Sequence, residues 1–107
     1  MGAPHVGNIR VLVLYPSGEG KSFDAEYWRS THFDLLKNGV WKNAIDIEFS
    51  LGEADSPYVA VATVIFEDEA AFNSAISDPG MAEVLADIPK YTNIEPLVTN
   101  TGIIRNL

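Results

Sequence analysis

The sequence predicts an α+β domain: a four-stranded antiparallel sheet in the order 4-1-3-2, with its helices on one face. Three observations carry that expectation. The chain has 107 residues, one domain's worth, with 47% hydrophobic and 21% charged residues, the composition of a globular fold. Its apolar pattern changes period in the order strand, helix, strand, strand, helix, strand. Two of the strands are apolar on both faces, as central strands are.

The first strand, Ile9 to Tyr15, is a β-branched and aromatic run closed by the turn cluster Pro16-Ser17-Gly18. After a glycine-containing loop the period becomes helical from Asp24 to about Lys37. Tyr27, Trp28, Thr31, His32, Leu35 and Leu36 form the inward stripe; Glu26, Arg29, Ser30, Phe33, Asp34 and Lys37 form the outward one. Asp24 is placed to cap this helix, and Asn38-Gly39 to end it in the left-handed conformation. In the second strand Ile45, Ile47, Phe49 and Leu51 alternate with Ala44, Asp46, Glu48 and Ser50.

The third strand runs from Tyr58 to Phe66, and Asp68 caps a helix whose Phe72, Ala75 and Ile76 face inward. Asp78-Pro79-Gly80 stops that helix and begins a shorter one, with Pro79 at its first position. Met81, Val84, Leu85 and Ile88 make its apolar stripe, with Asp87 on the opposite face. A last strand, Leu97 to Ile104, is weakened by Asn100 and Gly102. The β-α-β-β-α-β order is the ferredoxin-like arrangement. Residues 1–8 read as a flexible N-terminal tail and 9–107 as the single domain.

Two helices cover one sheet face, yet Val59, Val61 and Ile65 oppose Ala60, Ala62, Val64 and Phe66 on strand three. A large apolar face is avoided by soluble monomers, so a homodimer closing sheet to sheet into a barrel is expected.

Charge and composition exclude several functions. With 15 acidic against 7 basic residues the net charge is −8, which disfavours nucleic acid and anionic membranes as partners. The longest apolar run, Val59 to Phe66, is far short of the roughly 20 residues of a membrane span. The N-terminal residues lack the pattern of a signal peptide. Cysteine is absent, removing disulfides and thiol chemistry and suiting a reducing, cytoplasmic compartment.

Few residues remain for chemistry. His5 belongs to the tail. His32 lies on the inward stripe and reads as a buried core histidine, a general acid or base in a cleft between helix and sheet, or an iron ligand. Tyr15, Tyr27, Tyr58 and Tyr91 stand near element ends and either pack or line one rim. Trp28 and Trp41 are core or interface aromatics, with Trp28 placed to wall a pocket beside His32. Asp87 breaks a local rule, an acid in the last turn of a helix, where the dipole disfavours it. Gly18-Glu19-Gly20-Lys21 lacks the spacing of a phosphate loop.

Tyr15-Pro16, Phe23-Asp24, Tyr27, His32, Pro57-Tyr58, Phe66 and the stretch Ala86-Asp87-Ile88-Pro89-Lys90-Tyr91-Thr92-Asn93-Ile94-Glu95-Pro96 resemble EthD-type proteins of the dimeric α/β-barrel superfamily. The family's histidine falls on His32 and its Asp-Ile-Pro segment on Asp87, Ile88 and Pro89; Asp34 stands where members often carry proline. The resemblance implies a small enzyme acting on an apolar molecule (aromatic, polyketide-like or from ethyl tert-butyl ether degradation) by an oxidative, decarboxylation or isomerisation step. In that reading His32 and Asp87 are catalytic, and Tyr15, Tyr27, Trp28 and Tyr91 bind substrate. No cofactor is expected, haem on His32 being the alternative. A non-catalytic ligand carrier or accessory protein is the other reading, motivated by Phe33 on a polar helix face as an exposed partner contact.

Overall fold

The computed structural model describes residues 4–107. Four strands, β1 (Ile9–Pro16), β2 (Asp46–Leu51), β3 (Tyr58–Phe66) and β4 (Leu97–Gly102), form one antiparallel sheet in the order β2-β3-β1-β4. This is the predicted order read from the other edge. The pairing register puts Val11, Val13 and Tyr15 of β1 opposite Val64, Ala62 and Ala60 of β3. Those β3 residues are almost wholly buried under the helices, because the two-residue period gives this face one continuous apolar surface. Leu12, Leu14, Val59 and Val61 lie half-buried on the other face, which no helix among the described residues covers.

The first helix spans residues 25–37 in three parts: α1 (Ala25–Tyr27), a π-helical segment (Trp28–His32) and α2 (Phe33–Lys37). Asp24 caps it as predicted, its side chain accepting from the Tyr27 N–H at 3.2 Å. The π segment is the departure from expectation. The Phe33 N–H bonds the Trp28 carbonyl, five residues back, so residues 28 and 33 stand one above the other. Trp28 stacks on Phe49 (4.2 Å, 19°) and Phe33 meets the same ring edge-on at 5.0 Å. Phe33 is therefore half-buried in an intramolecular contact rather than standing free on a polar face. Thr31, expected inward, lies within this segment and is exposed.

Gly39 also ends the helix differently. Neither Asn38 nor Gly39 is left-handed; the Gly39 and Trp41 N–H groups both turn back to the Leu36 carbonyl. Glycine is needed for close approach, since a Cβ there would lie 2.7 Å from the Leu35 carbonyl oxygen.

Two further helices, α3 (Glu69–Ile76) and α4 (Met81–Asp87), precede β4, and a 3₁₀ turn, Ile88–Lys90, continues α4. Asp68 caps α3 through the Ala71 N–H at 2.9 Å. Pro79 lies before α4 rather than at its first position, because Asp78 accepts from the Gly80 N–H and makes Gly80 the cap. Asp87 is buried together with Val84, three residues and one turn earlier, whereas Leu85 is exposed; the acid faces inward, not away.

Before β1, Asn8 is buried: its side chain donates to the Glu67 carbonyl at 3.0 Å, and its own carbonyl accepts from the Ile103 N–H. The body thus reaches back past Ile9. Residues 1–3 of the expected tail lie outside the described residues. Among the described residues no helix is long and apolar enough to cross a membrane.

Candidate active site

Two segments far apart in sequence are laced together beside the sheet. The Asp24 N–H bonds the Tyr91 carbonyl (2.7 Å), and Phe23 bridges Thr92. Thr92 donates to the Ser22 carbonyl, and Asn93 joins Ser22 and Gly20. This lacing fixes the start of the first helix against the chain that leaves α4. It brings Tyr27 and His32 up to Asp87 and Tyr91.

The result is one chain of hydrogen bonds. Asp87 receives the Tyr27 hydroxyl on Oδ1 at 2.7 Å and meets His32 Nδ1 through Oδ2 at 2.8 Å. His32 Nε2 is 3.3 Å from the Tyr91 hydroxyl, which is 2.6 Å from that of Tyr15. His32, Tyr15 and Tyr91 are almost wholly buried, and Asp87 is only 6% exposed. Lys90 Nζ approaches Asp87 at 3.8 Å from a mainly exposed position.

The protonation states follow from this geometry. Burial would raise the Asp87 carboxyl, but the bonds from His32 and Tyr27 outweigh it and hold the group below its usual value. Burial also holds the His32 imidazole below its usual 6.5, although Asp87 pulls the other way. At neutral pH the pair is therefore a carboxylate beside a neutral imidazole. An ionised carboxylate only accepts, so the ring proton sits on Nδ1 and Nε2 keeps its lone pair. Burial pushes the Tyr15 and Tyr91 hydroxyls up, Tyr91 further because Tyr15 and Asp87 oppose a second negative charge. Both remain protonated donors, Tyr91 toward Nε2 and Tyr15 toward Tyr91.

His32 and Tyr15 line a cavity of about 180 Å³ between the helices and the sheet. Its other walls are mainly apolar, with Val13, Phe49 and Ala62 from the sheet and Phe72, Val84 and Ile88 from the helical side. The exposed side chains of Ile76, Leu85 and Val98 mark where it opens.

Of the residues singled out in the sequence, His32, Asp87, Tyr15, Tyr27 and Tyr91 are thus brought together. Tyr27 reaches Asp87 from the side away from the cavity and lines a surface groove with Lys90 and Asp34. Trp28 stands behind Phe49 and meets Tyr15 edge-on at 5.7 Å, in an aromatic cluster with Phe23 and Tyr91, and is not among the cavity walls. Trp41 does line the cavity, and Tyr58, opening β3, lies outside it. Sequence reasoning missed Phe49 and Asn100 as lining residues. The signal was available for Phe49, which falls on the alternating apolar face of β2, and not for Asn100, whose strand has no such alternation. Among the described residues no cluster of three or more His, Cys, Asp or Glu could hold a metal.

No protein-family model and no curated protein matches the chain, but solved structures do. An EthD-like protein from Ralstonia eutropha is 28% identical, with a TM-score of 0.84 over 95% of this chain and 96% of that one. An ethyl tert-butyl ether D (EthD) family protein from Bacillus halodurans is 15% identical, with a TM-score of 0.64 over 86% and 96%. SnoaB, a cofactor-independent oxygenase from Streptomyces nogalater, is 13% identical, with a TM-score of 0.67 over 94% and 97%. Over almost its whole length the chain is similar in structure to that EthD-like protein, and its fold is ferredoxin-like.

Proposed function

We propose that this chain is a small enzyme that binds an apolar molecule between the first helix and the sheet and moves a proton on it through His32. The observation that carries this reading is a neutral imidazole fixed at both nitrogens in an apolar cavity wall, with Asp87 holding the tautomer that leaves Nε2 free of a proton. The one lone pair of Nε2 is met by the Tyr91 hydroxyl at 3.3 Å, so a proton from an acidic C–H or O–H of a bound molecule reaches it once that hydroxyl turns aside, and the imidazolium so formed is stabilised by the carboxylate at 2.8 Å. Tyr91 supplies a hydroxyl beside that nitrogen, Tyr15 holds the Tyr91 hydroxyl, and Tyr27 orients Asp87. General acid–base chemistry of this kind uses side chains alone. The likeness to SnoaB, described as cofactor-independent, supports that part of the reading. Proton abstraction is a first step shared by isomerisation and by oxygenation with molecular oxygen.

The same reading makes the protein a homodimer closed over the open sheet face. Leu12, Leu14, Val59 and Val61 support it, as do solved structures of this fold described as dimeric. A chain without cysteine suits the cytoplasm.

Native mass spectrometry of freshly purified protein is the first experiment. The expected result is a dimer that carries an added small-molecule mass, and a stable monomer refutes the covered face. With the captured molecule as substrate, His32→Ala lowers turnover by about 10²–10⁴-fold with the dimer intact. Full turnover in that variant refutes the assignment.

A further inference from the structure

Resting on that reading, the hydroxyl pair beside His32 bears on what kind of acid the cavity takes. In the resting arrangement Tyr15 donates to Tyr91 and Tyr91 donates to Nε2, so the one lone pair of the base is covered. The two bonds are unequal. The Tyr15–Tyr91 contact is short, 2.6 Å, and either oxygen suits the donor's part, whereas Tyr91 meets Nε2 at a long 3.3 Å. A turn of two O–H bonds, with no heavy atom displaced, makes Tyr91 donate to Tyr15 instead. It uncovers Nε2 and at the same time releases the Tyr15 O–H from Tyr91. Tyr15 and His32 both line the cavity and Tyr91 does not, so the freed lone pair and the freed O–H both belong to residues of the cavity wall.

A third buried group supports Tyr15. The Trp28 indole is almost wholly buried, and its Nε1–H has no hydrogen-bond partner among the described residues. A buried N–H left unpaired is costly and calls for an explanation. The indole meets the Tyr15 ring edge-on, 5.7 Å between centres, and its N–H lies close enough to favour negative charge on the Tyr15 oxygen. A hydroxyl donates once and accepts twice. Once turned, Tyr15 has the Tyr91 O–H and the Trp28 N–H for its two lone pairs and its own proton to spend elsewhere.

We propose that Tyr15 is a catalytic residue, whose hydroxyl donates to the oxygen on which negative charge develops as His32 takes the proton. Tyr91 and Trp28 are positioning residues that act through the Tyr15 oxygen. In the step the ligand's O–H or C–H bond breaks and an N–H bond forms at Nε2. The electron pair stays on the ligand, its charge on oxygen, and no further reactant takes part. A preorganised donor in a mainly apolar wall is worth most where such charge appears. The ligand class is therefore a ring-sized phenol or enolisable ketone, whose conjugate base is an oxyanion. An engineered cavity of about 150 Å³ holds a benzene ring, so one of about 180 Å³ accommodates a single ring with a short substituent.

The test reads the ionisation of a bound phenol on the intact protein. para-Nitrophenol absorbs visible light only as its phenolate, and para-butylphenol is the competitor that displaces it. At a pH where free para-nitrophenol is mostly neutral, the wild-type protein holds it mostly ionised, and His32→Ala holds it neutral. Tyr15→Phe lowers the ratio of ionised to neutral bound ligand about tenfold, the loss of one hydrogen bond to a charged group. Trp28→Phe and Tyr91→Phe each keep a ring in place, remove one donor to the Tyr15 oxygen and lower the ratio about threefold. An unchanged ratio in Tyr15→Phe, with ionisation still lost in His32→Ala, overturns the role of Tyr15 and leaves His32 as the base. A phenol that stays neutral on the wild-type protein, or fails to bind there, overturns the general-base reading and this proposal with it. Should Tyr15→Phe fail to fold, proton NMR of the wild-type complex decides. The buried Tyr15 hydroxyl proton moves downfield when the phenolate binds, and an unmoved resonance overturns the proposal.

Discussion

Replacing Asp87 by asparagine changes one atom and removes one charge, which makes Asp87→Asn a sharp test of the buried relay. The carboxylate accepts two hydrogen bonds, from Tyr27 at 2.7 Å and from His32 at 2.8 Å. An amide has one acceptor oxygen and must turn its NH₂ toward the other partner. If it faces Nδ1, the imidazole must shift its proton to Nε2 to accept it, and the base nitrogen is lost. A hydrogen bond to a charged group is worth about 1.5–3 kcal/mol against about 0.5–1.5 for a neutral one, so two weakened bonds cost about 2–3 kcal/mol. Relief of the carboxylate's desolvation returns part of this. Its pKa lies below the usual value, so the interactions exceed the desolvation and the sign stays unfavourable. The net loss is about 1–2 kcal/mol, or about 5–15 °C in Tm for a domain of this size. Urea denaturation followed by circular dichroism gives the answer, with the midpoint lowered and the m-value unchanged. A midpoint equal to or above the wild-type one would refute the argument that this carboxylate is net stabilising.

Tyr91→Phe removes the hydroxyl between Tyr15 and His32 and leaves a buried Tyr15 hydroxyl without its partner; a loss of about 1–3 kcal/mol in the same assay is expected. Stability follows pH from both sides. The folded His32 and Asp87 pKa values are depressed, so their contribution is present above the unfolded values. The His32 part is lost as pH falls below 6.5 and the Asp87 part as it falls further, below 3.8. The raised Tyr15 and Tyr91 values cost stability as pH climbs past 10.0, where the unfolded chain ionises first. Thermal melts across pH therefore show a plateau between, and a protein most stable near pH 5 contradicts the neutral histidine. Gly52→Ala places a Cβ 1.9 Å from the Tyr58 carbonyl oxygen at the β2–β3 turn, and soluble yield and Tm both fall.

Much of this architecture was legible because strands and helices write their burial into period. The bounds of β3 are those read from Tyr58 to Phe66, and its two-sided apolarity correctly made it central. What was not legible depends on hydrogen bonds that sequence spacing does not encode. The five-residue backbone step at Trp28–His32 rotates Phe33 onto Phe49, where a period of 3.6 puts it outside. Asp87 marked itself by violating the helix dipole, but its inward direction follows from two partners 55 and 60 residues away. The resemblance gathered His32, Asp87 and the tyrosines into one site without telling which of them meet the cavity. Asn100 registered as a blemish in a strand; only the β1–β4 register shows which face it takes.

The central claim is that His32, in the cavity wall, keeps its Nε2 unprotonated. Nitrogen-15 NMR of the imidazole, titrated with and without para-butylphenol, tests it most directly. The account predicts a neutral, Nδ1-protonated ring at pH 7, a midpoint below 6.5, and an Nε2 resonance that moves when the phenol binds. An Nε2-protonated ring, or an Nε2 signal indifferent to bound phenol, would contradict it.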